Sequence, residues 1–416
     1  MSISVNLPEV ARKAANSYAH LFRDTALSFS PLSCLFGMAL FGIESLCDGA
    51  RCFPRSPCVS VLSKAVQCFV AEPFTRRMRK MIFENYNTPE KQANLRLVVD
   101  DTPNKKTGKK NYAVGRRVES KKKHYFGQKI MVIALVDVSK WVTYPLCYAF
   151  CLPKGAAGYR KDHEVALDLI KEYLSEEWPK LPLVADSGFD CTEFIDALKQ
   201  IGIDYFVEIK SNRRLRHCAA GHQPRLSPPK YFRPEIRRSI RLEIAGKVRK
   251  SKYIATRFGY LNDLRGPVKL CAVFNSLTEP EAFGYYLSTK LDATGEEIWY
   301  MSRVRWSIEV MFRDLKQNFA FGKLPGIGKA SADLTVCAPF ALLVQLRLEQ
   351  VAKDNKGNSR LATVGTLVEH IREQSLLKSI HLISQSQNKN LTSRIKARRS
   401  LSRIHQKPVN AIAGAA

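Results

Sequence analysis

The fold turns on Leu95-Arg-Leu-Val-Val-Asp-Asp101. A short Leu- and Val-rich run that stops at acidic turn formers predicts a buried strand. The pattern returns at Leu181-Pro-Leu-Val-Ala-Asp186, which runs into Ser187-Gly188. Open α/β sheets take their ligands beyond the carboxyl ends of the strands, so a carboxylate there stands where chemistry is done. Asp is also common at such ends as a turn former or helix N-cap, and a single case carries little weight.

Further strands are predicted at Lys129–Asp137, Thr143–Leu152 and Asp204–Lys210, with helices at His163–Trp178 and Cys191–Ile201. The order is three strands, helix, strand, helix, strand. Adjacent strands suit antiparallel hairpins, and the later ones suit crossovers. This is the order of a ribonuclease H-like domain, in which the first and fourth strands end side by side. Asp101 and Asp186 could then converge. Asp100 competes with Asp101, because successive strand residues face opposite sides. Asp101 is favoured because Thr102 follows it.

A third carboxylate lies in Tyr300-Met-Ser-Arg-Val-Arg-Trp-Ser-Ile-Glu-Val-Met-Phe-Arg-Asp-Leu-Lys316. Glu309 follows Arg305 by four residues and precedes Lys316 by seven. On a helix the three fall within about 40° of one another. Ile308, Phe312, Leu315 and Phe319 form a neighbouring apolar stripe that can pack. Alone, Glu309 would read as one end of a solvated ion pair. With two strand-end aspartates upstream it becomes a candidate third ligand.

The 66 Lys and Arg outnumber the 38 Asp and Glu by 28, which predicts a polyanionic partner, nucleic acid foremost. The 45 % apolar content supports a packed protein. The 11 cysteines are irregularly spaced and odd in number, which suits reduced thiols in a cytosolic protein. Cys218 and His222 lack a second pair of ligands nearby. Glu9 precedes any apolar run, so the start does not read as a signal peptide. Leu32–Ile43, the most apolar window, is about 12 residues long, too short to span a bilayer.

Three converging carboxylates repel one another unless a cation sits among them. Magnesium or manganese suits such oxygens, and two ions can grip both sides of a phosphodiester displacement. The expected ligands are Asp101, bridging two ions, with Asp186 and Glu309 holding one each.

These motifs resemble those of the DDE transposases of bacterial insertion sequences, the group with the signature Tyr-x2-Arg-x3-Glu-x6-Lys. Arg305, Glu309 and Lys316 match its spacing, and Asp-Asp-Thr at 100–102 and Asp-Ser-Gly at 186–188 resemble its first two motifs. The match covers about 93–320. One residue departs: the signature Tyr falls at 302, where this chain has Ser302. Tyr300 and Trp306 are near but out of register. The resemblance implies catalytic Asp101, Asp186 and Glu309, with Arg305 and Lys316 on DNA.

The expected fold class is therefore α/β: a ribonuclease H-like catalytic core with a β-rich insertion, flanked by helical terminal regions. The expected divisions are 1–92, a helical DNA-binding region; 93–210, the first part of the core; 211–284, a basic β-rich insertion; 285–325, the second part of the core; and 326–416, a helical region with a basic tail at Lys389–Lys407. The expected activity is metal-dependent cleavage of double-stranded DNA at element ends, then joining of the 3′-hydroxyl to target DNA. The expected partners are terminal inverted repeats, target DNA and a second copy of the chain, in the prokaryotic cytoplasm at the nucleoid, with no membrane. The alternatives are a nuclease of the same fold that cuts without joining, and a DNA-binding protein that has lost catalysis. Three further features have both a structural and a DNA-facing reading: the Arg76, Arg77, Arg79 and Lys80 cluster, the Lys105–Lys123 run, and the aromatics Tyr231, Phe232, Tyr253, Phe258 and Tyr260.

Overall fold

The run at 95–101 is a strand, but a longer one than its apolar part: β1 spans Leu95–Lys105. The computed structural model describes residues 8–22, 28–53, 56–120, 123–218, 225–234, 240–243, 251–261, 264–278, 282–323, 327–354 and 363–385. The tail at 389–407 and His222 lie outside them. Six helices precede β1: α1 (Glu9–Ala19), α2 (Phe29–Phe41), α3 (Leu46–Cys52), α4 (Val59–Gln67), α5 (Ala71–Asn85) and α6 (Pro89–Gln92). After β1 come β2 (Gly115–Ser120), β3 (Lys123–Asp137), β4 (Val142–Cys151), α7 (Asp162–Leu174), β5 (Leu183–Ala185), α8 (Thr192–Ile201) and β6 (Tyr205–Glu208). Next are β7 (Leu215–Arg216), α9 (Pro228–Phe232), β8 (Ile240–Glu243), β9 (Ser251–Leu261), β10 (Val268–Phe274) and β11 (Gly284–Ser288). Three long helices follow, α10 (Gly295–Asn318), α11 (Lys329–Asp354) and α12 (Val364–Gln385). The architecture is mixed α/β, with one mixed sheet and helices.

The chain divides into two units. The second joins Thr88–Pro103 to Lys129–Val310 and holds most of the sheet. In it β1 pairs parallel with β5, and β5 parallel with β6. Leu97, Val98 and Val99 are all buried, as expected of a central parallel strand covered on both faces. β3 pairs antiparallel with β4 from Lys129 opposite Cys151 to Asp137 opposite Val142. The strands of the expected β-rich insertion belong to the same sheet. β11 pairs with β6, β10 with β11, and β9 with β10, so they extend the central sheet by its free edge.

The first unit joins Met1–Asn87, Asn104–Gln128 and Met311–Ala416. Its core is aromatic at the centre: Tyr18 stacks on Phe74 at 4.0 Å between centroids, and Phe36 meets both edge-on. α11 is buried around most of its circumference, from Ser331 to Val344. It is long and apolar enough to cross a membrane, but 83 % of that window is packed inside the protein. That pattern belongs to a core helix. In the cluster on α5, Arg79 is fully buried and Arg76 pairs with Glu72 at 2.7 Å, so Arg79 is not a surface contact.

Candidate active site

Strand register builds the site. Val99 lies opposite Ala185 across β1 and β5, and Ala185 opposite Val207 across β5 and β6. The next residues along these three parallel strands are Asp100, Asp186 and Glu208. Equivalent positions on neighbouring strands point to the same face, so three acids form a row across the sheet. Glu208 in turn pairs with Tyr286 on β11, which extends the row by one.

α10 supplies the groups that meet this row. The Arg305 guanidinium is ion-paired with Glu309 one turn further on, and its Nη1 lies 3.9 Å from Asp100 Oδ2. Val304 and Ile308 are fully buried, which holds the helix with Arg305 turned to the Asp100 carboxylate and Glu309 paired with Arg305. Lys316, seven residues beyond Glu309 in the sequence, is half-buried and belongs to the other unit.

Asp101 points the other way. Its carboxylate is paired with Lys129 Nζ at 2.8 Å, and the same ammonium holds Asp162, at the start of α7, at 2.8 Å. So Asp100, not Asp101, faces Asp186 and Arg305, because alternate strand residues leave opposite faces of the sheet. Thr102, which argued for Asp101 in the sequence, is buried.

The electrostatics separate the two aspartates. Burial pushes the Asp100 carboxyl up to about 7, and the charges of Asp186 and Asp101 add to the rise. An N–H donated by Asp101 to Asp100 Oδ1 at 2.8 Å, and Arg305, offset only part of this. Burial also raises Asp101, but Lys129 opposes it. Burial would lower the Lys129 ammonium, yet Asp101 and Asp162 outweigh it and raise it. Burial raises Glu208 as well, with Arg305 working against the rise and Asp186 with it. Asp186 also accepts the Gly188 N–H at 2.9 Å, which fixes the turn after β5. Asp190 anchors the same loop through Arg213 and the Lys210 N–H, a structural role.

Beside the row lies a cavity of about 560 Å3, lined by Glu208, Tyr286, Ser302, Arg303, Arg305 and a group of large rings. Those rings are Trp141, Phe206, Phe283, Trp299 and Trp306. Trp141 has a left-handed backbone, φ 53°, rare for a bulky residue, and meets Tyr300 edge-on at 5.9 Å. Among the described residues no three acidic, His or Cys side chains stand close enough to hold a metal in this arrangement. The donor chemistry nonetheless fits a hard divalent cation. Asp100 and Asp186 offer carboxylate oxygens whose mutual repulsion Arg305 offsets only in part, while Glu309 is engaged by Arg305.

Glu208 and Lys129 escaped the sequence reading. Tyr205-Phe-Val-Glu208 is a third apolar run ending in an acid, the same signal as the first two. Lys129 lies within β3 just before its apolar run, where a cation calls for a partner. Of the insertion aromatics, Tyr231 and Phe232 are buried, whereas Phe258 is exposed with Lys269 Nζ 4.2 Å over its ring.

Residues 60–257 match the family described as DDE superfamily endonuclease. None of the curated proteins compared matches the chain. The matched span takes in Asp100, Asp101, Asp186 and Glu208 and stops before Glu309. It supports a DDE-type transposase or endonuclease acting on DNA, in a superfamily that generally depends on divalent metal.

Proposed function

We propose that the chain is a DNA transposase of an insertion sequence, with a ribonuclease H-like core, that cuts DNA at element ends and joins the freed 3′-hydroxyl to target DNA. The observation that carries this reading is the row of strand-end acids, Asp100, Asp186 and Glu208, facing Arg305 and Glu309 on α10. The sheet order β4-β3-β1-β5-β6, with β1, β5 and β6 parallel, supports a ribonuclease H-like core.

We assign Asp100, in place of Asp101, as the first ligand, with Asp186 and Glu309. These three would hold one or two magnesium or manganese ions, whose charge would neutralise the carboxylates and stabilise the phosphodiester oxygens. Asp101 keeps β1 fixed through Lys129. Arg305 carries a positive charge beside the row and would meet the DNA phosphate, and Lys316 is proposed as a further DNA contact. Glu309 is engaged by Arg305, so Arg305 can hold Glu309 until phosphate competes for the guanidinium. Residues 1–92 and the basic tail are proposed to bind the terminal repeats, and two copies would act together.

A nuclease of the same fold that cuts without joining is the second reading, and the match to an endonuclease family favours it as much as the first. A plasmid carrying the coding region with its flanking DNA separates the two. Incubated with the protein, Mg2+ and a second plasmid, it should yield covalently joined products under transposition. Nicked or linear DNA with no joined product leaves only the nuclease.

A further inference from the structure

Glu309 cannot turn to a metal while Arg305 holds it. The Arg305 Nη1 is ion-paired with Glu309 and lies 3.9 Å from Asp100 Oδ2. On the reading above both of these carboxylates become ligands. Burial works against the Arg305 charge, and Glu309 is the first of the carboxylates that sustain it. A guanidinium that gives up Glu309 therefore needs another anion.

Glu208 is the acid of the row that the ligand set leaves unused. It ends β6 one strand beyond Asp186, on the face that carries Asp100 and Asp186. With Arg305 it lines the cavity of about 560 Å3. Its side chain is half-buried and, among the described residues, joins no hydrogen bond or ion pair. Burial pushes its carboxyl up most and Asp186 adds to the rise, while Arg305 draws it down. The Arg305 guanidinium ends a long flexible stem, so rotation of the stem can exchange one carboxylate for another.

We infer that Glu208 is a positioning residue, the carboxylate that takes the Arg305 guanidinium when Glu309 turns to the metal, and so frees Glu309 before DNA is bound. The inference rests on the DNA-cleaving reading above, with Asp100, Asp186 and Glu309 as ligands. Glu208 itself holds no metal, and DNA phosphate later replaces it at Arg305. Without its charge Arg305 stays on Glu309 and competes with the metal.

The test is Mn2+ binding to the full chain without DNA, followed by calorimetry, with Mg2+-dependent nicking of supercoiled plasmid and thermal melting alongside. Glu208→Gln keeps the shape and removes the charge, and should weaken Mn2+ binding by about tenfold. Arg305→Gln releases Glu309 outright and should bind Mn2+ at least as tightly as the parent. In that background Glu208→Gln should change binding by no more than about twofold, because Glu208 acts through Arg305. Arg305→Met takes the place of Arg305→Gln if the latter does not fold. Nicking by Glu208→Gln should be slow at limiting Mg2+ and approach the parent's rate at saturating Mg2+. A tenfold loss of Mn2+ affinity in both backgrounds makes Glu208 a ligand and overturns the inference. Parental Mn2+ binding by Glu208→Gln also overturns it, as does a nicking deficit that saturating Mg2+ leaves in place. A parent protein that binds no Mn2+ overturns the metal-ligand reading and this inference with it.

Discussion

Asp100 is held in its charged form only at a cost. Its folded value of about 7 stands well above the ordinary carboxylate range, with burial the largest cause and Asp186 the next. A carboxyl raised in this way favours folding while protonated. The contribution is fully present below the unfolded value near 4 and is lost as pH rises through about 7. The side chain is 14 % exposed, so little of the effect is screened by solvent, and it amounts to about 2–4 kcal/mol. Asp100→Asn removes the charge and keeps the shape. Without divalent cation it should melt higher than the parent at about pH 8, and the gap should close towards about pH 4. Added Mg2+ should raise the parent's melting point and leave Asp100→Asn nearly unmoved. A variant that melts lower at alkaline pH contradicts the buried repulsion. Lys129 presents the opposite case. Lys129→Met strands Asp101 beside Asp162, and should cost about 1–3 kcal/mol, less than a fully buried pair because both groups keep some exposure. Denaturant melts measure this, and an unchanged midpoint would show that the pair contributes nothing.

At the scale of elements, β11 and α10 set the shape of the site. Gly284 lies against the Tyr286 ring of its own strand, where a Cβ would stand 2.5 Å from the phenol oxygen and 2.8 Å from the ring carbon that bears it. Gly284→Ala must push that ring away, and should cost about 1–3 kcal/mol of stability and slow nicking. Intact stability together with intact nicking would show that the ring has room to move. The strands with long apolar runs, β1, β3 and β4, were legible because burial on both faces leaves a continuous signal. β2 was not, because Gly-Arg-Arg-Val-Glu-Ser has the composition of a solvated charged loop, and it forms by pairing with β3. β11 is five residues long and follows a loop, and its place beside β6 comes from pairing far along the chain. The choice within the aspartate pair was not legible in the sequence. Thr102 after Asp101 favoured Asp101, whereas the strand runs on to Lys105 and its register sets which carboxylate lies on the face of Asp186. α10 was legible in both spacing and face, since Ile308, Phe312, Leu315 and Phe319 are all buried as their periodicity required.

Across the whole molecule the 28 excess positive charges dominate any encounter with DNA. Counterion release makes affinity fall steeply as salt rises, by a slope of about 0.9 per phosphate neutralised. Binding measured over a salt series should give a slope that corresponds to several contacts. Removing residues 389–407, with seven Lys or Arg and no acid, should flatten it. An unchanged slope would exclude the tail from the DNA contacts. The central claim is narrower than charge: three carboxylates from two strands and a helix cut DNA, and Asp101 is not one of them. The most direct measurement is Mg2+-dependent nicking of supercoiled plasmid by Asp100→Asn, Asp101→Asn, Asp186→Asn and Glu309→Gln, with plasmid binding measured alongside. Nicking should be abolished in the Asp100, Asp186 and Glu309 variants and survive, though weakened, in Asp101→Asn, while all four still bind DNA. Full nicking by Asp100→Asn with none by Asp101→Asn, or nicking retained by all four, would contradict the account.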